Sequence, residues 1–241
     1  TKSTDAGKNV VSTLYDDLGR QKERSFNGVK AATWTYDSVA KGHLTKSTSI
    51  VNGFSFSKEI YEYNDGYQIV DEESVIPAMP GLTALAGTYV TTHTYTVNGL
   101  PFRSSLPKVG PMEKEGITRT YDDLGNVVKL AGTSSPSGTV RTYVDRSTYS
   151  PYGELLNRWL GTPVGDKPQA YQNYVYDDVS RRLSEFYFDR DGTVPNVAAL
   201  KYTYDDAGNV LSMANRPVDA DNNPRAGEED VQCFQYDHLR R

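Results

Sequence analysis

Tyr121-Asp122-Asp123-Leu124-Gly125-Asn126 reads as a tight turn entered from a strand, and the chain repeats it. Tyr204-Asp205-Asp206-Ala207-Gly208-Asn209 is nearly the same phrase, and Tyr15-Asp16-Asp17-Leu18-Gly19-Arg20 and Tyr176-Asp177-Asp178-Val179-Ser180-Arg181 are close variants. Looser copies begin at Tyr36-Asp37, Tyr63, Tyr95, Tyr149 and Tyr236-Asp237. The nine anchor tyrosines lie 21, 27, 32, 26, 28, 27, 28 and 32 residues apart. Self-similarity at a period of about 20 to 50 residues marks a repeat array. The spacing therefore predicts tandem β-repeats rather than a globular enzyme domain.

Each copy has the chemistry of a hairpin. Ile117-Thr118-Arg119-Thr120-Tyr121 before the turn and Val127-Val128-Lys129-Leu130 after it are rich in β-branched and aromatic residues, which suit a pleated surface. The aspartates can accept backbone N–H groups ahead of them, and Gly125 can take the positive φ of a tight bend. The same reading covers Gly19, Gly153 and Gly208. Ser180, Ala40 and Arg240 stand where a glycine is expected. A side chain is strained at positive φ, so those three turns are expected to differ in geometry. Tyr149-Ser150-Pro151-Tyr152-Gly153 replaces Asp-Asp with Ser-Pro, and Tyr63-Asn64-Asp65-Gly66 reads as a shortened Asp-Gly turn.

Segments 77–85, 101–116, 132–138, 161–169 and 217–230 carry Pro, Gly or polar clusters and are expected to be loops between hairpins. Only 196–200 hints at a helical turn. No linker divides the chain, so 1–241 is expected to be a single array. Nine hairpins give up to eighteen strands, which at about 4.8 Å spacing make roughly 85 Å of sheet. A sheet that wide twists, curls or closes. The expected fold is all-β, a continuous curved or spiralling antiparallel sheet with a concave face: a partial cocoon or barrel.

Composition fits a thin wall. Hydrophobic residues make up 37% of the 241 residues, and 18 tyrosines far outnumber 7 phenylalanines and 2 tryptophans. Tyrosine buries a ring yet keeps a hydroxyl that needs a partner. The net charge of −5, with no Lys/Arg run, argues against nucleic acid as a partner. The single cysteine, Cys233, cannot form a disulfide within the chain. No apolar stretch approaches the roughly 20 residues of a membrane-spanning helix. The pattern is interrupted at both termini, so the chain reads as part of a longer protein. Unpaired strand edges predict association through them.

The repeated Tyr-Asp-x-x-Gly-Arg/Asn phrase followed by a hydrophobic pair resembles the YD repeat of Rhs proteins, which is shared by insecticidal toxin complex shells and the teneurin barrel. The resemblance runs from Tyr15 to Tyr236, and is strongest at Tyr15, Tyr121, Tyr176 and Tyr204. The ending Gln232-Cys233-Phe234-Gln235-Tyr236-Asp237-His238-Leu239-Arg240-Arg241 looks like the bacterial branch. The resemblance implies a β-strip wound into a hollow shell around a C-terminal toxin, and a secreted or cell-surface location. Its partners would be that toxin cargo or the remaining shell repeats. Bacterial members often carry an Asp-Pro-x-Gly cleavage motif, and this chain has no Asp-Pro pair. Under that resemblance Tyr15, Asp16, Gly19, Tyr36, Asp37, Tyr121, Asp122, Gly125, Tyr149, Gly153, Tyr176, Asp177, Tyr204, Asp205, Gly208, Tyr236 and Asp237 are structural repeat residues.

Other chemistry is sparse. A nucleophilic triad needs a base, and only His43, His93 and His238 are available, with no Gly-x-Ser-x-Gly elbow. Cys233, in the apparent strand Val231-Gln232-Cys233-Phe234, reads as a small buried apolar residue rather than a nucleophile. Asp122-Asp123 and Asp205-Asp206 could suggest glycoside hydrolysis, but recurrence makes them turn formers. Asp219, Asp221, Asn223 and Asp230 echo calcium-loop spacing, although Pro224 stands where that loop needs glycine. Asp189-Arg190-Asp191-Gly192 is a shorter echo. The tyrosines read as a stacked ladder on one sheet face, or as a stripe for glycan or cell-surface binding. No catalytic residue and no cofactor are expected.

Overall fold

The computed structural model describes residues 1–135, 137–163, 165, 169–190, 194–219, 221 and 223–237, with side chains at 194–196 left out. Two compact units emerge: Thr1–Ile117 with Thr133–Thr139, and Thr118–Gly132 with Val140–Arg241. The fold is all-β and antiparallel, with eighteen strands among the described residues.

The first unit contains β1 (Lys2–Thr4), β2 (Val10–Tyr15), β3 (Gln21–Phe26), β4 (Val29–Tyr36), β5 (Leu44–Val51), β6 (Phe54–Tyr63), β7 (Ile69–Ile76), β8 (Gly87–Tyr95) and β9 (Pro101–Leu106). Next come β10 (Lys114–Tyr121) and β11 (Val127–Ser135). The second unit continues with β12 (Val140–Tyr149), β13 (Leu155–Leu160), β14 (Ala170–Tyr176), β15 (Leu183–Arg190), β16 (Val194–Tyr204), β17 (Val210–Asn215) and β18 (Asp230–Cys233). Within each unit every strand pairs with its sequence neighbour: Glu23↔Thr33 and Trp34↔Ser47 in the first, Tyr171↔Asp189 and Tyr202↔Met213 in the second.

Strands alternate between two kinds of end. From Tyr15 to Tyr204 each anchor tyrosine closes a strand and leads into a repeat turn, whereas the opposite ends join through connections of varied length. Asn27-Gly28 and Asn52-Gly53 form two-residue turns with φ of 49° and 81°, and 51° and 81°. Positive φ at both residues is the hairpin geometry whose twist matches that of the strands. These two Asn-Gly pairs carried the signal for a tight link inside the first unit.

Some expected loops are strands. Segment 101–116 begins as β9, with Pro101 at a strand's first position, where its missing N–H removes no interior ladder bond. Strand β11 runs on to Ser135, into the 132–138 segment. Residues 198–200, expected as a helical turn, sit in β16 opposite Phe188, Tyr187 and Phe186. Pairing with an aromatic strand overrides the weak helical preference of the two alanines.

Among the described residues no core layer covers the strands. Among the described residues Ile60, 4% exposed, is the one buried hydrophobic side chain. The buried polar side chains are small, namely Thr13, Thr45, Ser104, Ser147 and Ser150, and Gly116, Gly132 and Pro217 are buried as well. The stabilising contacts therefore lie between neighbouring strands and turns.

Candidate functional site: the repeating turn edge

The repeat turns share one hydrogen-bond plan. In the 122–126 turn the Asp122 N–H donates to the Asn126 carbonyl (3.0 Å) and the Gly125 N–H to the Asp122 carbonyl (3.1 Å). The Asp122 Oδ1 accepts the N–H groups of Leu124 (3.0 Å) and Asn126 (2.8 Å), and its Oδ2 accepts the Asn126 side chain (3.0 Å). The aspartate is thus an acceptor-only cap for donors the bend would leave unpaired. Asp16 and Asp205 act in the same way. Gly125 takes φ of 83°, where a Cβ would be strained. Other caps substitute for aspartate: Ser150 Oγ accepts the N–H groups of Tyr152 (3.2 Å) and Glu154 (3.3 Å), and Thr96 Oγ1 that of Leu100 (3.0 Å).

Glycine is absent from the expected position in two described turns, and their geometry shifts. The turn after Asp177 closes one residue later, on Arg182, with Arg181 at φ of 58°. The turn after Asp37 is two residues longer, closing on His43, with Gly42 at φ of 83° before the closing residue and Asp37 itself at φ of 71°. The Tyr63 turn is not shortened. Asn64 caps it, closing on Gln68, and the positive φ of 58° falls on Tyr67 rather than Gly66. Residues 238–241, including Arg240 and His238, lie outside the described residues.

The anchor tyrosine uses its hydroxyl. Tyr36 donates to the Gln21 carbonyl (2.9 Å), Tyr63 to Leu44 (2.7 Å) and Tyr95 to Ile69 (2.7 Å). In the second unit Tyr149 donates to Val127 (2.8 Å), Tyr176 to Leu155 (3.2 Å), Tyr204 to Leu183 (2.6 Å) and Tyr236 to Val210 (2.9 Å). Each acceptor is the first residue of the strand that leaves the preceding repeat turn. A register shift falls immediately before Tyr36, Tyr95, Tyr149, Tyr176 and Tyr204. A bulge re-aims the next side chain, which here points the phenol at the preceding strand. The anchors are therefore hydroxyl staples between repeats, where ring-on-ring stacking was expected. Burial raises the phenol pKa of Tyr63, Tyr95, Tyr176 and Tyr204, which keeps the donor proton in place.

The residue after the glycine position supplies a second link. Arg20 donates through Nε to its own Asp16 (2.7 Å) and grips Asp37 with both Nη atoms (3.0 and 2.6 Å), its guanidinium 4.4 Å from the Tyr36 ring centre. The Arg20 guanidinium, followed by the Gly42 N–H, holds the Asp37 carboxyl well below the usual carboxylate range. Gln68 donates to the Gly99 carbonyl (2.7 Å) and Arg182 to the Asp205 carbonyl (2.8 Å). Glu154 accepts both Nε and Nη2 of Arg181, which lowers its pKa. Asn126 and Asn209 instead return to their own aspartates and lower the pKa values of Asp122 and Asp205. This forward link is what sequence reasoning missed. Arg20, Gln68, Glu154 and Arg182 share a position but no residue type.

One constellation was also missed because its members are distant in sequence. Across β6 to β9 the Lys58 Nζ lies 2.7 Å from Glu72 Oε2, Glu72 Oε1 is 3.6 Å from His93 Nε2, and His93 Nδ1 is 3.2 Å from Ser104 Oγ. The order matches a nucleophile, base and orienting acid. Ser104, however, is 8% exposed and sits mid-strand directly opposite His93. The row is a polar ladder that joins four strands.

Of the calcium-echo residues, Asp219, Asp221 and Asn223 share one turn and Asp230 lies apart. Asp219 caps another turn, its Oδ1 accepting the N–H groups of Asp221 (3.0 Å) and Asn223 (2.9 Å). Asp230 begins β18 opposite Asn215 and accepts the Gln232 amide (2.8 Å). Among the described residues no three acids, histidines or cysteines cluster as metal ligands. Asp191 and Gly192 lie outside the described residues, and Cys233, expected to be buried, is exposed on β18, all four of whose residues are exposed. A shallow groove of about 480 Å³ crosses β4 to β7, lined by Trp34, Phe56 and Ile76 together with Ser47, Ser74 and Lys58. Among the described residues no helix is long and apolar enough to cross a membrane.

This hairpin array has counterparts among solved structures. A crystal structure of TcdB2-TccC3-Cdc42 is similar over 99% of this chain and 13% of its own, with a TM-score of 0.66 at 16% identity. The Photorhabdus luminescens Tc holotoxin pore matches with a TM-score of 0.70 at 16% identity, over 99% of this chain and 12% of its own. A crystal structure of TcdB2-TccC3 matches at 0.63 and 16% identity, over 95% of this chain and 13% of its own. The shared property is the fold. The chain thus spans about an eighth of the length of these solved chains. No family model and no curated relative matches.

Proposed function

We propose that this chain is a non-enzymatic wall segment of an Rhs-type toxin shell. In this reading 1–241 is one run of a YD-repeat array that, with further repeats of the same protein, encloses a C-terminal effector and acts in a secreted particle. The observation that carries the reading is a hairpin array without a covering core layer, stapled repeat to repeat through tyrosine hydroxyls. Such an object supplies surface and shape. The fold shared with Tc toxin structures supports it. The Ser104-His93-Glu72 row supports the non-enzymatic part, because Ser104 is buried and lies in a strand whose N–H groups serve the ladder rather than an oxyanion.

The test extends the chain through its downstream reading frame and follows limited proteolysis. A protected downstream segment that becomes cleavable when Tyr204→Ala loosens the wall is the expected result. A downstream segment cleaved as fast as the isolated peptide would refute enclosure. A second reading, adhesion to glycans, has one observation in its favour: the groove lined by Trp34 and Phe56 together with serines. Glycan-array binding that is lost in Trp34→Ala, with the melting temperature unchanged, would favour that reading.

A further inference from the structure

Three buried side-chain polar atoms find no hydrogen-bond partner among the described residues, and two of them belong to one cross-strand pair. They are Ser147 Oγ on β12 and Arg158 Nε on β13, and the third, Asp71 Oδ1, lies in the other unit. Ser147 and Arg158 stand directly opposite one another, which places their Cβ atoms about 5 Å apart on one sheet face. Ser147 is 4% exposed and Arg158 is half-buried.

The other chemistry of arginine in this chain makes Arg158 an exception. Arg20 and Arg181, also half-buried, hold carboxylates, and Arg182 and Arg225 hold carbonyls. Among the described residues Arg158 has no ion pair and no hydrogen bond. A polar group withdrawn from water without a partner costs free energy, and a charged one costs more. Both orphaned groups can donate: a guanidinium offers only N–H, and a serine hydroxyl has a proton to give.

The strand on the far side adds a third donor. Gln172 of β14 stands opposite Arg158. Its Oε1 accepts the Tyr174 hydroxyl (3.4 Å), which leaves its amide N–H groups to donate. Phe188 follows in the same row, and Leu160 and Tyr174, two places along their strands, share the face. One cation thus sits among donors, with an apolar border.

We propose that Ser147, Arg158 and Gln172 form a carboxylate-binding site on this face of the second unit. The guanidinium takes both carboxylate oxygens through parallel N–H groups. The serine hydroxyl and the glutamine amide donate to the remaining lone pairs. One guanidinium balances one negative charge, which favours a carboxylate over a phosphate carrying nearly two. The apolar border suits a carboxylate on an apolar stem, either a free organic acid or a glutamate side chain of a polypeptide. The site rests neither on the shell reading nor on the groove across β4 to β7.

Nuclear magnetic resonance of the full chain tests it, with the Arg158 Nε–H and Gln172 side-chain amide as reporters. The titrants, at constant ionic strength, are sodium hexanoate, the peptide acetyl-Gly-Glu-Gly-amide and sodium chloride. A saturable shift of both reporters with a carboxylate, and none with chloride, is expected. Saturation by hexanoate at the lower concentration assigns the site to free acids, and by the peptide to polypeptide side chains. Arg158→Gln, read on the Gln172 amide, and Ser147→Ala are each expected to weaken binding about tenfold or more, the scale of one hydrogen bond to a charged group. Without ligand, Ser147→Ala should melt no lower than the parent, because it removes an unpartnered hydroxyl. No saturable shift in the parent overturns the proposal, whether or not Arg158→Gln folds. So does an equal shift with chloride, or binding that survives Arg158→Gln. A melting temperature several degrees lower in Ser147→Ala would show that the hydroxyl is already partnered, and would remove it from the site.

Discussion

The two ends of the strands in this sheet are built on different rules. At one end, turns of nearly constant plan repeat: a cap accepts N–H groups, a residue at positive φ makes the bend, and a tyrosine ties the turn to the preceding repeat. At the other end, connections range from Asn52-Gly53 to the long segment between β17 and β18. Regularity at one edge suffices. Pairing register is set there, and the opposite end is free to vary because nothing downstream depends on its length.

The sharpest way to break this contrast is Tyr204→Ala, which removes a half-buried ring and the bond to Leu183. It should cost about 3 kcal/mol, read by urea denaturation. Leu85→Ala, at the exposed linking end, should stay within roughly 0.5 kcal/mol. Gly125→Ala comes next, at about 1–2 kcal/mol for a Cβ at positive φ. A Gly-Ser insertion after Gly81, in the loop between β7 and β8, should leave the melting temperature nearly unchanged.

Tyr204→Phe isolates the hydroxyl, with an expected loss of about 1 kcal/mol. Tyr15→Phe is its control. Tyr15 is 46% exposed and makes no staple among the described residues, so no shift is expected. If the two variants melt alike, the hydroxyl is not the tie.

The smallest expected effect is with pH. The folded pKa values of Asp16, Asp37, Asp122, Asp177 and Asp205 are lowered. Their contribution is therefore present above the unfolded carboxylate pKa of about 4 and is lost as pH falls below it. Melting temperatures should be flat from neutral pH to about pH 5 and then decline. Asp122→Asn with Asp205→Asn should be less stable near neutral pH and show a shallower acid decline.

Much of this was legible in the sequence because the repeat fixes it. Tyr-Asp-x-x-Gly places a donor, an acceptor and a permissive backbone at set offsets, and local chemistry then produces antiparallel hairpins. The hidden part was relational. Nothing in Tyr204 shows that its hydroxyl reaches Leu183, since the bulge that aims it is a property of paired strands. Arg20, Gln68, Glu154 and Arg182 reach the next turn with different chemistry, so no motif marks them. Glu72, His93 and Ser104 meet through register alone. Pro101 read as a loop residue because a proline vetoes an interior strand position, but not a first one.

The staples also have a direction. Each phenol reaches back 15 to 26 residues, to a carbonyl already synthesised when the tyrosine emerges. Contacts this local favour rapid folding, and an array joined only between neighbours can grow one unit at a time. A nascent chain of this kind can assemble from its N-terminus while its later repeats are still being made.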